Sequence, residues 1–242
     1  MLQALLSTLD AAAANDEVKV VILTGTGDCY SSGIDFVGSF PLMRPSVLVL
    51  YLEEFNRKLF DTFLLFPKPI IVAANGPVIG AACTSATLCD AIVACENAMF
   101  STPFAALGIA PEGCSSYWFA KQVGPEAADR MLGPEGWKPT AAEGAAIGLV
   151  SQVVPKGSSA AEAAQTLGEA WAAAGKRRKL VELGEVEALR RVNAEESKRI
   201  ARAFVSPPFL AAMHAAASAK GKSKLAGVFW ALSRTQCLWS RL

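Results

Sequence analysis

Between Asn75 and Trp118 the chain reads NGPVIGAACTSATLCDAIVACENAMFSTPFAALGIAPEGCSSYW, the stretch whose residue types best suit chemistry. A turn built from Gly76, Gly80, Ala81 and Ala82 can expose backbone N–H groups, and Glu112 is an isolated acid in an otherwise apolar loop. Main-chain donors and one carboxylate suit removal of a proton beside a carbonyl, with stabilisation of the oxyanion that results. Upstream, Ser31-Ser32-Gly33-Ile34-Asp35-Phe36 forms a second turn of the same kind after an apolar segment. Its unpaired N–H groups could bind an anion or could simply join a strand to a helix. Small residues at Gly80 and Ala81 let a ligand approach the backbone, and the Ala81 N–H falls at the positive end of the following helix. On residue type alone, Glu112 reads either as a solvated loop acid or as a base.

The elements that must position these groups follow from periodicity. Leu2, Leu5, Leu6 and Leu9 fall at helical spacing, and Val18 to Thr24 is a short apolar, β-branched run ending at Gly25. A Gly/Ser-rich loop runs from Gly25 to Gly38. Ser46 is placed to cap a long amphipathic helix reaching about Phe66, where Pro67 and Pro69 stop it. Pro69 to Ala74 reads as a buried strand, Asn75-Gly76-Pro77 as a turn, and Gly80 to Leu88 as a small-residue helix. Two further strands, Ala91 to Cys95 and Ala98 to Ser101, flank a Glu96-Asn97 turn.

Beyond Cys114 the pattern predicts helices at Ser115 to Gln122, Pro125 to Leu132 and Thr140 to Ile147, a strand at Leu149 to Val154, and a packed helix at Ala160 to Ala174. Helices from about Lys179 to Ala219 form a C-terminal region broken at Ser206-Pro207-Pro208. Repeated strand–loop–helix units with apolar strands imply an α/β fold, a parallel sheet covered by helices with ligand loops at the strands' carboxyl ends.

At 242 residues and 52% apolar, the chain can bury a sizeable core. Net charge is +1 and the cations are scattered, apart from Lys176-Arg177-Arg178-Lys179, which argues against nucleic acid as a partner. That run reads as a solvated helix start. No apolar stretch approaches a membrane span, and the start does not resemble a signal peptide. Six cysteines without a C-x-x-C pair fit reduced thiols, and one histidine, His214, is too few for a zinc site or a histidine triad. Asp35 and Asp90 read as cap or turn residues.

The order VVILTGTGDCYSSGIDF, PKPIIVAANGPVIGAACTSATLCDAIVA and AMFSTPFAALGIAPEGCSSYWFAKQVG resembles the crotonase (enoyl-CoA hydratase/isomerase) superfamily from about Val18 to Val205. NGPVIG, TPFAALGIAPEGCSS and VNAEES are most similar to its peroxisomal-type delta3,delta2-enoyl-CoA isomerases. The resemblance implies a crotonase-like spiral of β-β-α units over residues 1–175, with the family's opening strands missing. Residues 176–242 would be a helical C-terminal trimerisation region with a targeting tail.

It further implies oxyanion N–H donors at Ile34 and Ala81, with Glu112 as the base. Ser31, Ser32, Gly33, Asp35, Phe36, Gly80, Phe104 and Trp118 would bind substrate. Phe36, Phe40, Phe100 and Trp118 read either as an acyl pocket or as plain core. Hydratases of the family carry two glutamates at the positions of Thr84 and Phe104, so water addition is disfavoured. The implied reaction is isomerisation of 3-enoyl-CoA to trans-2-enoyl-CoA in oxidation of unsaturated fatty acids, with CoA part of the substrate and no metal or redox cofactor. Hydratase, dienoyl isomerase, thioester hydrolase and non-catalytic acyl-CoA binding are the alternatives. The implied assembly is a homotrimer or hexamer. Ser240-Arg241-Leu242 resembles the peroxisomal S-K-L address, implying an import receptor as partner.

Overall fold

The structure, a computed structural model, describes residues 2–34 and 44–239. Its centre is a four-stranded, all-parallel sheet in the order β1 (Val21–Thr24), β2 (Ile70–Ala74), β4 (Ala91–Cys95), β6 (Gln152–Val154). Every residue of β2 and β4 is buried, which explains why both read as unbroken apolar runs rather than alternating ones. Helix α7 (Ala160–Ala173) lies across the sheet. Gly168 faces the sheet, where a Cβ would make ordinary contact with Val20, Ile22 and Ile71 at 3.5–3.7 Å.

A second, two-stranded parallel sheet pairs β3 (Val78–Ile79) with β5 (Phe100–Ser101). The two strands expected around Glu96-Asn97 are present, the second shortened to Phe100–Ser101. β4 belongs to the large sheet and β5 to the small one, so the turn carries the chain from one sheet to the other. Ala98 bonds back to Cys95, closing a tight turn.

Helix α1 (Leu2–Ala14) precedes β1, and α2 spans Pro45–Leu65. The latter starts one residue before the expected cap, with Pro45 in the first turn, where its missing N–H is harmless. It stops as expected: Phe66, forced away from helical angles by Pro67, is extended at φ −60°, ψ 126°. Short helix α3 (Ala81–Thr87) follows β3. After β5 come α4 (Ser115–Val123), α5 (Pro125–Leu132) and α6 (Ala141–Ala146), the last opened by a Thr140–Glu143 capping box. α8 (Lys179–Glu182), α9 (Val186–Ala203), α10 (Pro207–Ala219) and α11 (Ser223–Trp239) complete the chain.

Two apolar clusters result. One surrounds the large sheet and includes Phe100, Trp118 and Phe119. The other joins Phe104 and Ile109 to Ile200, Phe204, Phe209, Leu210 and Met213 from the C-terminal helices.

The basic run is not uniformly solvated. Arg178 is 2% exposed, paired with Asp90, and donates to the carbonyl oxygens of Phe63 (2.7 Å), Phe66 (3.2 Å) and Leu88 (3.1 Å). Asp90 also accepts the N–H groups of Ile70 (2.7 Å) and Lys179 (2.5 Å), so it is more than a turn residue. This pair ties the end of α2 to the starts of β2, β4 and α8. Among the described residues no helix is long and apolar enough to cross a membrane.

Candidate active site

The two small-residue turns are brought side by side by backbone pairing. Ser31 bridges Val78 in parallel, with the Ser31 N–H on the Pro77 carbonyl and the Ile79 N–H on the Ser31 carbonyl, both at 3.1 Å. Beyond that bridge Gly33 lies against Ile79, where a Cβ on Gly33 would sit 3.6 Å from the Ile79 carbonyl oxygen. Gly33 and Gly80 are left-handed, at φ 86° and 66°, a conformation an L side chain would strain. Each turn thus places a left-handed glycine immediately before the residue expected to donate its N–H.

Side chains lock them in place. Asn75 accepts the Gly25 N–H at 3.0 Å and donates to the Gly27 carbonyl at 2.6 Å, tying the end of β2 to the loop after β1. Gly76 must lack a side chain because a Cβ would sit 2.0 Å from the Asp28 carbonyl oxygen. Gly80 donates to Ser101 at 2.8 Å and accepts from Cys83 and Thr84. Ala81 and Ala82 open α3, so their N–H groups precede the first donor that finds a helical carbonyl. Ser32 is exposed and Ile34 is 45% exposed, so this edge faces outward. Asp35 and Phe36 lie outside the described residues, as do Phe40 and Ser240, Arg241 and Leu242.

Glu112 is not a solvated loop acid. It is 4% exposed and held from several elements at once. Asn56 of α2, itself buried, donates its amide Nδ2 to Glu112 Oε2. The Asn56 carbonyl oxygen accepts from Ser197 Oγ on α9 at 2.9 Å, and the Ser197 hydroxyl also lies 3.4 Å from Asn193 Oδ1. Asn193 in turn donates to Asp61 and to the Arg57 carbonyl, both at 2.9 Å. Ser115 caps the Glu112 carbonyl through its hydroxyl at 2.7 Å.

The loop carrying Glu112 leans on α3. A Cβ on Gly113 would meet Thr84 Oγ1 at 2.6 Å and Phe60 Cε1 at 2.5 Å. The Thr84 hydroxyl bonds back to the Ala81 carbonyl at 3.2 Å, so the carboxylate's loop rests against the helix turn that begins with Ala81.

Burial pushes the Glu112 carboxyl up to about 7. The Asn56 hydrogen bond opposes that rise and the Glu196 charge adds to it. A carboxylate titrating there is half ionised near neutrality and is a stronger base than a solvated one.

The remaining aromatic candidates are buried. Trp118 is 4% exposed and donates its indole N–H to the Thr87 carbonyl at 2.9 Å within the main core. Phe100 is fully buried in that core, and Phe104 belongs to the C-terminal cluster. Exposed apolar side chains on the Asn56 helix itself are Val47, Leu50 and Tyr51. An open cleft of about 770 Å³, lined by Thr24, Asn75, Glu96, Lys156 and Ser159 at the carboxyl ends of the large sheet, includes none of Ile34, Ala81 or Glu112.

Asn56, Glu196, Ser197 and Asn193 were not singled out from the sequence. VNAEES signalled the resemblance, but nothing in its spacing shows that Asn193, Glu196 and Ser197 face inward.

The sequence pattern of the enoyl-CoA hydratase/isomerase family matches residues 1–206. This chain belongs to that family. It is 42% identical to human enoyl-CoA delta isomerase 2 over 151 residues, 60% of this chain and 37% of that protein. Mouse enoyl-CoA delta isomerase 3, peroxisomal, is 40% identical over 145 residues, 60% of this chain and 45% of that protein. Human Chromodomain Y-like protein is 41% identical over 152 residues, 61% of this chain and 25% of that protein. The matched stretch therefore spans less than half the length of each relative. Among solved structures, Pseudomonas aeruginosa OdaA superposes with a TM-score of 0.76 at 30% identity, covering 89% of this chain and 87% of that one. The crotonase fold, with its parallel sheet and helical C-terminal region, is established by this likeness.

Proposed function

We propose that this protein isomerises 3-enoyl-CoA thioesters to trans-2-enoyl-CoA. The observation that carries the reading is Glu112, a buried carboxyl titrating near 7, held by Asn56 on a loop packed against the first turn of α3. The Ile34 and Ala81 N–H groups, each just after a left-handed glycine, take the thioester oxygen. Glu112 removes a proton from C2, the electron pair moves onto that oxygen as the dienolate forms, and the same carboxyl returns the proton at C4. One acid serves both transfers, so nothing is needed to activate water. Thr84 and Phe104 offer no carboxylate for that task, which disfavours hydration. The reaction as written calls for no metal or redox cofactor.

The similarity to isomerases supports this reading. One of them is named as peroxisomal, which with the Ser240-Arg241-Leu242 tripeptide supports the peroxisome and its import receptor, and a role in oxidation of unsaturated fatty acids belongs to the same proposal. Assembly as a trimer or hexamer through residues 176–242 belongs to the same proposal, checked by light scattering.

The decisive test follows conjugated-thioester absorbance with trans-3-hexenoyl-CoA for the parent chain and Glu112→Gln. Turnover lost in the variant supports the proposal, and full turnover in Glu112→Gln overturns it. Because Chromodomain Y-like protein is as similar as the isomerases, the assay includes acyl-CoA binding and C2 proton exchange. Binding without exchange would assign a non-catalytic role.

A further inference from the structure

Ten residues into α9, Glu196 is 1% exposed and reaches across to the loop that carries Glu112. One carboxylate oxygen accepts the Cys114 N–H at 2.6 Å, and the other accepts the Ser116 N–H at 2.8 Å. These are donors at the start of α4, where helix geometry leaves N–H groups without carbonyl partners. A residue at the start of a helix commonly satisfies such groups with its own side chain. Cys114 makes no such bond, and its thiol points instead to the Leu189 carbonyl at 3.3 Å. The cap is therefore supplied from a different helix.

The clamp also holds an unfavourable backbone. Gly113 and Cys114 are consecutive left-handed residues, at φ 67° and 65°, and Cys114 is the one non-glycine residue with positive φ among those described. For an L residue this conformation is disfavoured by about 1–2 kcal/mol. Cys114 is held there by the two ends of its own residue: the N–H on Glu196 and the thiol on Leu189. This reversal turns the Glu112 carbonyl toward Ser115 and leaves the carboxyl facing Asn56.

We propose that Glu196 is a positioning residue for the Glu112 base, fixing its loop through the Cys114 and Ser116 N–H groups and placing a second negative charge beside it. The inference rests on the isomerase reading only for its kinetic arm. The charges facing this pair are few. Arg199 acts on Glu196 from one turn further along α9, and Asp61 of α2 acts on Cys114. Burial raises the Glu196 carboxyl, and its bonds from Ser116 and Cys114 oppose that rise. With those two N–H donors and a helix start facing it, against the Asn56 amide on Glu112, Glu196 is the better placed of the two acids to carry charge. Glu112 is then left as the one that exchanges protons.

Glu196→Gln tests this. An amide offers one acceptor oxygen, so one clamp bond is lost together with the charge. The first readout needs no substrate: the Glu112 carboxyl is titrated by ¹³C NMR in the parent chain and in the variant, with circular dichroism confirming the fold. The midpoint is expected to fall by about half a unit or more. With 3-enoyl-CoA, kcat is expected to fall roughly tenfold while KM stays within about twofold. An unchanged midpoint in folded Glu196→Gln overturns the proposal, whatever thioester the protein acts on. Failure of the parent chain to isomerise any 3-enoyl-CoA would instead strike the functional reading and leave the titration decisive. If Glu196→Gln alone does not fold, Cys114→Gly/Glu196→Gln replaces it. Glycine adopts the left-handed turn without the clamp, and the same titration supports or overturns the proposal.

Discussion

The amide of Asn56 meets the carboxyl of Glu112 across 56 residues of sequence, with both side chains closed off from solvent. Ser197 fixes the sense of that amide by donating to its oxygen, which leaves the NH₂ group facing the acid. Asn56→Ala removes a hydrogen bond to the charged form, worth about 1.5–3 kcal/mol. A drop in kcat of roughly 10- to 100-fold is expected. Because the Asn56 bond holds the Glu112 titration down, its loss should shift the acid limb of the pH–rate profile to higher pH. Glu196→Gln should shift the same limb the other way. Rate profiles of both variants check the pair, and a common direction of shift would contradict this arrangement.

Glu112 must be ionised to take a proton, so turnover should rise through pH 7 and level off above it. Glu112→Gln should lower kcat by roughly 10²- to 10⁴-fold. An enzyme with pH-independent kcat between 5 and 9 would exclude Glu112 as the titrating base.

Stability has the opposite slope. The folded protein binds the Glu112 proton more tightly than the unfolded chain, from 4.5 up to about 7. The protonated acid is fully accommodated below the unfolded value, and that advantage disappears as pH rises through the folded one. The ionised form therefore destabilises the fold by up to roughly 3 kcal/mol above pH 7. Glu112→Gln should melt higher than the parent at pH 8 and nearly together with it at pH 4. Equal melting temperatures at pH 8 would show that burial does not strain this group.

Gly113→Ala is expected to be severe. Its Cβ would meet Phe60 and Thr84 at 2.5–2.7 Å on a left-handed backbone. Overpacking and the strained φ together suggest a loss of about 2–4 kcal/mol. Denaturant unfolding measures it, and near-parental stability would mean that the loop does not rest on α3 as described.

Arg178→Met leaves Asp90 buried without its cation and frees three carbonyl oxygens. Breaking a buried pair from one side is worth about 3–5 kcal/mol. At this chain length that is a fall in melting temperature on the order of ten degrees. Asp90→Asn/Arg178→Met should recover part of it, since the uncompensated charge is then gone. A double variant no more stable than Arg178→Met would contradict that account.

Local patterning made much of this legible. The runs at β2 and β4 announced a buried parallel sheet because strands covered on both faces carry no polar alternation. Proline marked the end of α2, and the small residues of the two turns pointed to an exposed backbone. Three things escaped. The division of β4 and β5 between two sheets escaped because sheet membership depends on partners elsewhere in the chain. Arg178 looked solvated because charge runs usually are. Asn56 and Glu196 were not singled out, since helical periodicity shows which face is apolar but not which polar side chain meets a distant loop.

The clamp on Cys114 comes from 82 residues further along the chain. During synthesis, the acid and the two glycine turns leave the ribosome well before α9 does, and the loop bearing Glu112 has nothing to hold its left-handed reversal in the interval. Competence at this site therefore arrives late and as a single event, with the docking of one helix. In the finished protein the same dependence runs in reverse. A brief local detachment of α9 would withdraw Glu196, Ser197 and Asn193 together, silencing the site while the parallel sheet stays intact.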